Sequence, residues 1–184
     1  MKTNHLALAF LACLWLAAAG IARADNPYPI AFHPVAQEEL KLTDDQKKKI
    51  LAKLPDYQVD GHFTPEKTQA PGAHEKLWAF LKETLTAEQF KRFQQLELQH
   101  DATAVIRPEI VKALQITDEQ HNQIMGLIQD LKKQHQSGGN PSEIRVKGVR
   151  PKARVDYDGK VEAILNDAQK AQWNEMRGKL FDIP

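Results

Sequence analysis

The chain has 184 residues, 25 basic and 24 acidic, and 42% of it is apolar. So even a balance argues against a general nucleic-acid binder, which carries a basic excess. The single cysteine, Cys13, lies in an apolar leader, so no disulfide framework or thiolate metal centre is expected of the folded part.

Residues 1–24 read as an export signal. Lys2 gives the positive start, Leu6 to Ile21 are mostly apolar, and Ala22-Arg23-Ala24 offers the small residues a signal peptidase reads. Cleavage is expected after Ala24, sending the protein to a periplasm or another exported compartment. The apolar stretch is short for a bilayer span, so no stable membrane span is expected after cleavage. The processed chain would hold 23 basic and 24 acidic residues, a net charge of −1, and no cysteine. Residues 25–34, with three prolines, are expected to form an extended arm, and residues 35–184 a single helical domain.

Four strings then repeat one pattern: Leu42-Thr43…Gln46, Leu85-Thr86…Gln89, Ile116-Thr117…Gln120 and Leu165-Asn166…Gln169. A hydroxyl or amide residue followed three positions later by Gln, ahead of helical apolar spacing, is a capping box. Acids fill each first turn (Asp44 and Asp45, Glu88, Asp118 and Glu119, Asp167) and complement the positive end of the helix dipole. The pattern predicts helices over about 44–54, 87–99, 118–135 and 167–180. Shorter helical segments precede the first three, at 35–41, 73–83 and 108–114, with Pro108 suited to a first helical position. Before the fourth, the apolar residues Val146, Val149, Ala153, Tyr157, Val161 and Ile164 keep helical spacing across Pro151. Residues 55–72 contain three prolines and two glycines and are expected to be a long loop. The fold class expected is all-α, a small irregular domain of capped helix–elbow–helix units. Consecutive caps lie 43, 31 and 49 residues apart, which argues against a solenoid of fixed period.

The Leu-Thr-x-x-Gln strings behind an export signal resemble the Spy/CpxP family of envelope stress proteins. The resemblance implies a helical, dimerising protein without cofactors that holds unfolded or envelope proteins without ATP, or binds a stress sensor. This chain departs from the basic, methionine-rich members: its processed charge is −1 and it retains only Met125 and Met176. The blocks Leu77–Glu83, Gln95–Gln99 and Gly139–Arg145 also resemble a group of exported helical proteins, a likeness that implies no activity.

Signals of chemistry are few. There is no nucleophile elbow, phosphate loop or dinucleotide fingerprint, so an enzyme is not expected. The histidines of the processed chain are His33, His62, His74, His100, His121 and His135, and none is paired at helical ligand spacing. The one distinctive charge feature is the run Arg145, Lys147, Arg150, Lys152, Arg154, with no acid between Ile144 and Val155. It reads first as a solvated helix face and second as an anion-binding face. Trp78, Phe80, Phe90, Phe93, Trp173 and Phe181 fall in helical apolar patterns and are expected in the core. Taken together, the residues and the resemblance lead to an exported, non-enzymatic binding protein, chaperone-like or a partner in envelope stress. A metal- or anion-binding sensor is the alternative.

Overall fold

The structure, a computed structural model, describes residues 30–136 and 152–181. Nine α-helices occur among them: α1 (Pro34–Glu39), α2 (Asp44–Leu51), α3 (Pro65–Thr68), α4 (Ala73–Thr84), α5 (Ala87–His100), α6 (Pro108–Leu114), α7 (Asp118–Gln136), α8 (Lys152–Ile164) and α9 (Asp167–Arg177). Short 3-10 turns cover Ile30–Phe32, Leu54–Asp56 and Ala104–Ile106. A two-stranded antiparallel hairpin, β1 (Gln58–Val59) and β2 (His62–Phe63), pairs Gln58 with Phe63 and Val59 with His62. The fold is all-α apart from that hairpin.

The four expected caps all form. Thr43, Thr86 and Asn166 each accept a hydrogen bond from the backbone N–H three residues on, while the Gln there accepts from the cap's own N–H. Thr117 and Gln120 do the same, at 3.2 and 3.1 Å. Each box satisfies two of the donors that a helix start leaves without partners. The apolar residue before each cap (Leu42, Leu85, Ile116, Leu165) and the one seven after it (Ile50, Phe93, Ile124, Trp173) are buried. Two helical turns separate cap and seventh residue, which brings both to the same side of the helix.

The four boxes are two tandem copies of a two-box unit. Thr43 corresponds to Thr117, 74 residues on, and Thr86 to Asn166, 80 residues on. Each unit opens with a 3-10 turn and a short proline-started helix (α1 or α6). A residue in the left-handed region follows (Lys41 at φ 50°, Gln115 at φ 52°), and then comes the first box. A helix (α4 or α8) then leads into the second box and its helix (α5 or α9). The consecutive intervals conceal this because they alternate: 43 and 49 residues separate the caps within a unit, and 31 residues separate one unit's last cap from the next unit's first.

Each unit has its own apolar core. Leu40, Ile50, Leu77, Leu81, Phe93 and Leu96 anchor the first, with Phe32, Tyr57 and the ring of Phe63 packed nearby. Leu114, Ile124, Tyr157, Val161 and Trp173, with the partly buried Met176, stand at the equivalent positions of the second. Cutting back Phe93 or Trp173 to Ala would cost about 3–5 kcal/mol.

Two expectations are corrected. Residues 55–72 are not one long loop: they hold part of a 3-10 turn, the hairpin and α3. Tyr57 is buried there, its hydroxyl donating to the Ala73 carbonyl at 3.2 Å, and Asp60 and Gly61 take the positive φ a tight reversal needs. The described part of the arm, residues 30–34, is not extended either. Ile30, Ala31 and Phe32 form a buried 3-10 turn, because three successive apolar residues gain more against the core than in water. Residues 25–29 and the signal lie outside the described residues.

The units are joined along α5 and α9. Gln99, buried, donates to the carbonyls of Arg177 (2.6 Å) and Lys179 (3.0 Å) and accepts from the Phe181 N–H (2.8 Å). Gly178 sits here at φ 62°, a conformation that favours glycine, while a Cβ there would meet only the flexible amide end of Gln95. From α8, Arg154 donates to the Gln99 carbonyl (3.0 Å) and Tyr157 to that of Ala102 (2.6 Å).

Candidate functional site

The two boxes of each unit face one another through their glutamines. In the first unit Gln46 Nε2 donates to Gln89 Oε1 (2.8 Å) and Gln89 Nε2 returns the bond to Gln46 Oε1 (3.1 Å). In the second, Gln120 and Gln169 exchange the same pair at 2.8 and 3.0 Å. The remaining amide hydrogen of each goes to a carbonyl two residues before the opposite cap. Gln46 reaches Thr84 (3.0 Å), Gln89 Lys41 (3.2 Å), Gln120 Ile164 (2.9 Å) and Gln169 Gln115 (3.3 Å). Each Oε1 accepts twice, from its own cap and from its partner, and each Nε2 donates at least twice. This explains why the third helical position is Gln in all four boxes. Glu would complete a capping box equally well, but it has no N–H to donate and would meet its opposite number as a like charge.

The surroundings of these locks differ between the units. In the first, Glu39 and Arg92 form an ion pair across the elbow, with 2.7 Å between Arg92 Nη2 and Glu39 Oε1, both side chains mostly shielded. Lys41, whose carbonyl accepts from Gln89, and Glu88, in the first turn of α5, are both exposed and add two more charges beside the lock. At the same four places the second unit has Ala113, Gln172, Gln115 and Ala168. All four line a half-open depression of about 430 Å³, together with Leu114, Thr117, Gln120, Asn166 and Gln169. Nothing that lines it is charged. Gln115 and Gln172 are exposed, and neither side chain hydrogen-bonds within the described residues.

Asp101, Tyr157 and Arg177 serve the architecture. Asp101, between the units, pairs with Arg107 at 2.5 Å and accepts from the Thr103 N–H and hydroxyl, both at 2.7 Å. Burial alone would raise its carboxyl; the charge of Arg107, with hydrogen bonds from Arg107 and Thr103, overcomes this and holds it below the usual range. Tyr157 is pushed well above the ordinary tyrosine range, mainly by burial, and remains a neutral donor. Arg177, buried, pairs with Glu162 at 2.5 Å and lies over the Trp173 ring at 5.1 Å.

Of the basic run, Arg145, Lys147 and Arg150 lie outside the described residues, and Lys152 begins α8 without a described side chain. Arg154 turns towards the protein: it pairs with Asp158 at 3.1 Å, covers the Tyr157 ring and bonds the end of α5. Phe93 and Trp173 are buried, and Trp78, Phe80, Phe90 and Phe181 pack against the first core. Among the described residues no three His, Cys, Asp or Glu side chains group as metal ligands would. No described helix is long and apolar enough to cross a membrane.

The glutamine pairing and the charge-free elbow were not legible in consecutive strings. Setting Thr43 against Thr117 and Thr86 against Asn166 reveals the second, since Glu39, Lys41, Glu88 and Arg92 then fall opposite Ala113, Gln115, Ala168 and Gln172. No protein-family model, curated protein or solved structure matches the chain.

Proposed function

We propose that this chain is an exported, non-enzymatic binding protein whose working face is the elbow of the second unit. The observation that carries the proposal is the divergence of the copies. Both keep the glutamine lock, while the second lacks every charge that rims the first and holds an open depression in their place. A face with fixed architecture and cleared rim suits recognition of a defined partner, as expected of a participant in envelope stress.

Client holding by a broad apolar surface, the chaperone-like alternative, has less support. The exposed large apolar side chains among the described residues are Leu51, Val59, Val155 and Leu180, on three different elements and the segment after α9. A photo-crosslinking residue placed at Gln172, in cells making the full chain, is expected to capture a discrete partner in the exported fraction. The same residue at Arg92 is expected to capture none. Equal capture at both, or none at Gln172, would overturn the assignment. Suppression of aggregation of several unrelated clients by the purified protein would favour the chaperone-like reading instead.

A further inference from the structure

The chemistry of the second elbow also indicates what it takes. We infer that the depression binds an extended, uncharged segment of polypeptide, held through its backbone by amide side chains. This rests on the binding-face reading above and adds the ligand class to it.

Four observations converge. The lining has no charge, so an ionic ligand would lose hydration there without a counter-charge to replace it. The side chains of Gln115 and Gln172 each carry an acceptor oxygen and a two-proton donor, the set that matches a peptide's alternating N–H and C=O groups. Ala113 and Ala168 leave room where Glu39 and Glu88 stand in the first unit, allowing a backbone to approach the elbow. The lining contains no aromatic ring, and so lacks the flat apolar face on which a sugar ring would stack. Amide donors and acceptors with small apolar neighbours fit a peptide better than a saccharide.

The test uses the purified protein and three probes. One is an end-blocked peptide of about eight residues built from Ser, Asn, Gln and Ala, spanning roughly 25 Å when extended. The second has the same length with alternate Lys or Glu. The third is a neutral oligosaccharide. Calorimetry gives affinity, and amide chemical-shift mapping gives location. The neutral peptide is expected to bind and to shift the amides of Gln115, Thr117 and Gln172. The charged peptides are expected to bind about tenfold more weakly. The double variant Ala113→Glu/Gln172→Arg, which installs the first unit's ion pair, is expected to lose about tenfold in affinity while keeping its melting temperature. Gln172→Arg alone changes one exposed side chain and gives a second reading with less demand on the fold.

Equal binding of charged and neutral peptides would overturn the ligand class, as would saccharide binding without peptide binding. Undiminished peptide binding by both variants, or shifts confined to the first unit, would overturn the site. Absence of peptide binding overturns this inference even where crosslinking at Gln172 succeeds, in which case the working face stands with another ligand. Failure of both experiments overturns the face itself.

Discussion

The first and second elbows have the same skeleton and opposite surfaces. In each, two capping-box glutamines exchange hydrogen bonds and tie the carbonyl before one cap to the amide of the other. Around that shared lock the first elbow is bridged by Glu39 and Arg92, and the second is left open by Ala113 and Gln172. The difference teaches that the repeated residues determine the architecture, while functional information sits in what the copies do not share. It also shows how the fold tolerates the change: the lock is complete without the ion pair, so the pair can be lost at little cost in stability.

The largest expected effect is from breaking the lock while sparing the cap. Gln169→Glu keeps the acceptor for the Asn166 N–H. It removes the donors to Gln120, Leu114 and Gln115 and sets a carboxylate against their oxygens in a buried place. The expected loss is about 3 kcal/mol in urea unfolding. Gln89→Glu, in the more exposed first lock, should lose less. If both variants unfold like the parent, the glutamines act only as caps and the comparison of locks has no basis.

The junction between the units comes next. Removing the carboxylate in Asp101→Asn leaves Arg107 buried without its counter-charge, with an expected loss of about 2–3 kcal/mol at neutral pH. Its pH dependence has a definite sign. The Asp101 carboxyl is held lower in the folded than in the unfolded chain, so its contribution is present above the unfolded value, about 3.9, and fades as pH falls through the folded one. The stability gap between parent and Asp101→Asn should therefore hold from pH 7 to about 5 and close below about 4. A gap that widens on acidification would contradict this account.

Caps contribute less. Thr117→Ala should lower stability by about 1 kcal/mol, and Thr117→Ser should cost little, as read from thermal melts. The smallest effect is expected from Arg92→Gln, which leaves Glu39 without its ion-pair partner but near solvent: about 0.5–1 kcal/mol, reduced by salt. A large loss there would mean that the ion pair supports the first elbow, and that the second elbow must be held open by something else.

Much of this fold could be read along the chain. The boxes, their acids and the apolar residues at the seventh position after each cap locate the starts of α2, α5, α7 and α9. That is because capping is local chemistry over four residues. The hairpin at Gln58–Phe63 was hidden because its strands have two residues each, too few for alternation, and because Tyr57, buried, and Phe63, half-buried, pack against Phe32 more than twenty residues away. The glutamine lock was hidden for the same physical reason. Gln46 and Gln89 meet only after the helices between them pack, and a box that is complete by itself gives no sign of a second partner. Arg154 shows the converse: within a run of cations it reads as solvated, yet Asp158, one turn on, and the end of α5 turn it inward.

The most direct test of the central claim is to exchange the two rims and see whether binding moves. One protein would carry Glu39→Ala, Lys41→Gln, Glu88→Ala and Arg92→Gln in the first unit, with Ala113→Glu, Gln115→Lys, Ala168→Glu and Gln172→Arg in the second. Amide shifts would then be mapped with the neutral peptide. If the cleared rim makes the site, the shifts leave the second elbow and appear around Thr43 and Gln46, with both glutamine locks intact. Shifts that remain at the second elbow after the exchange would contradict the account.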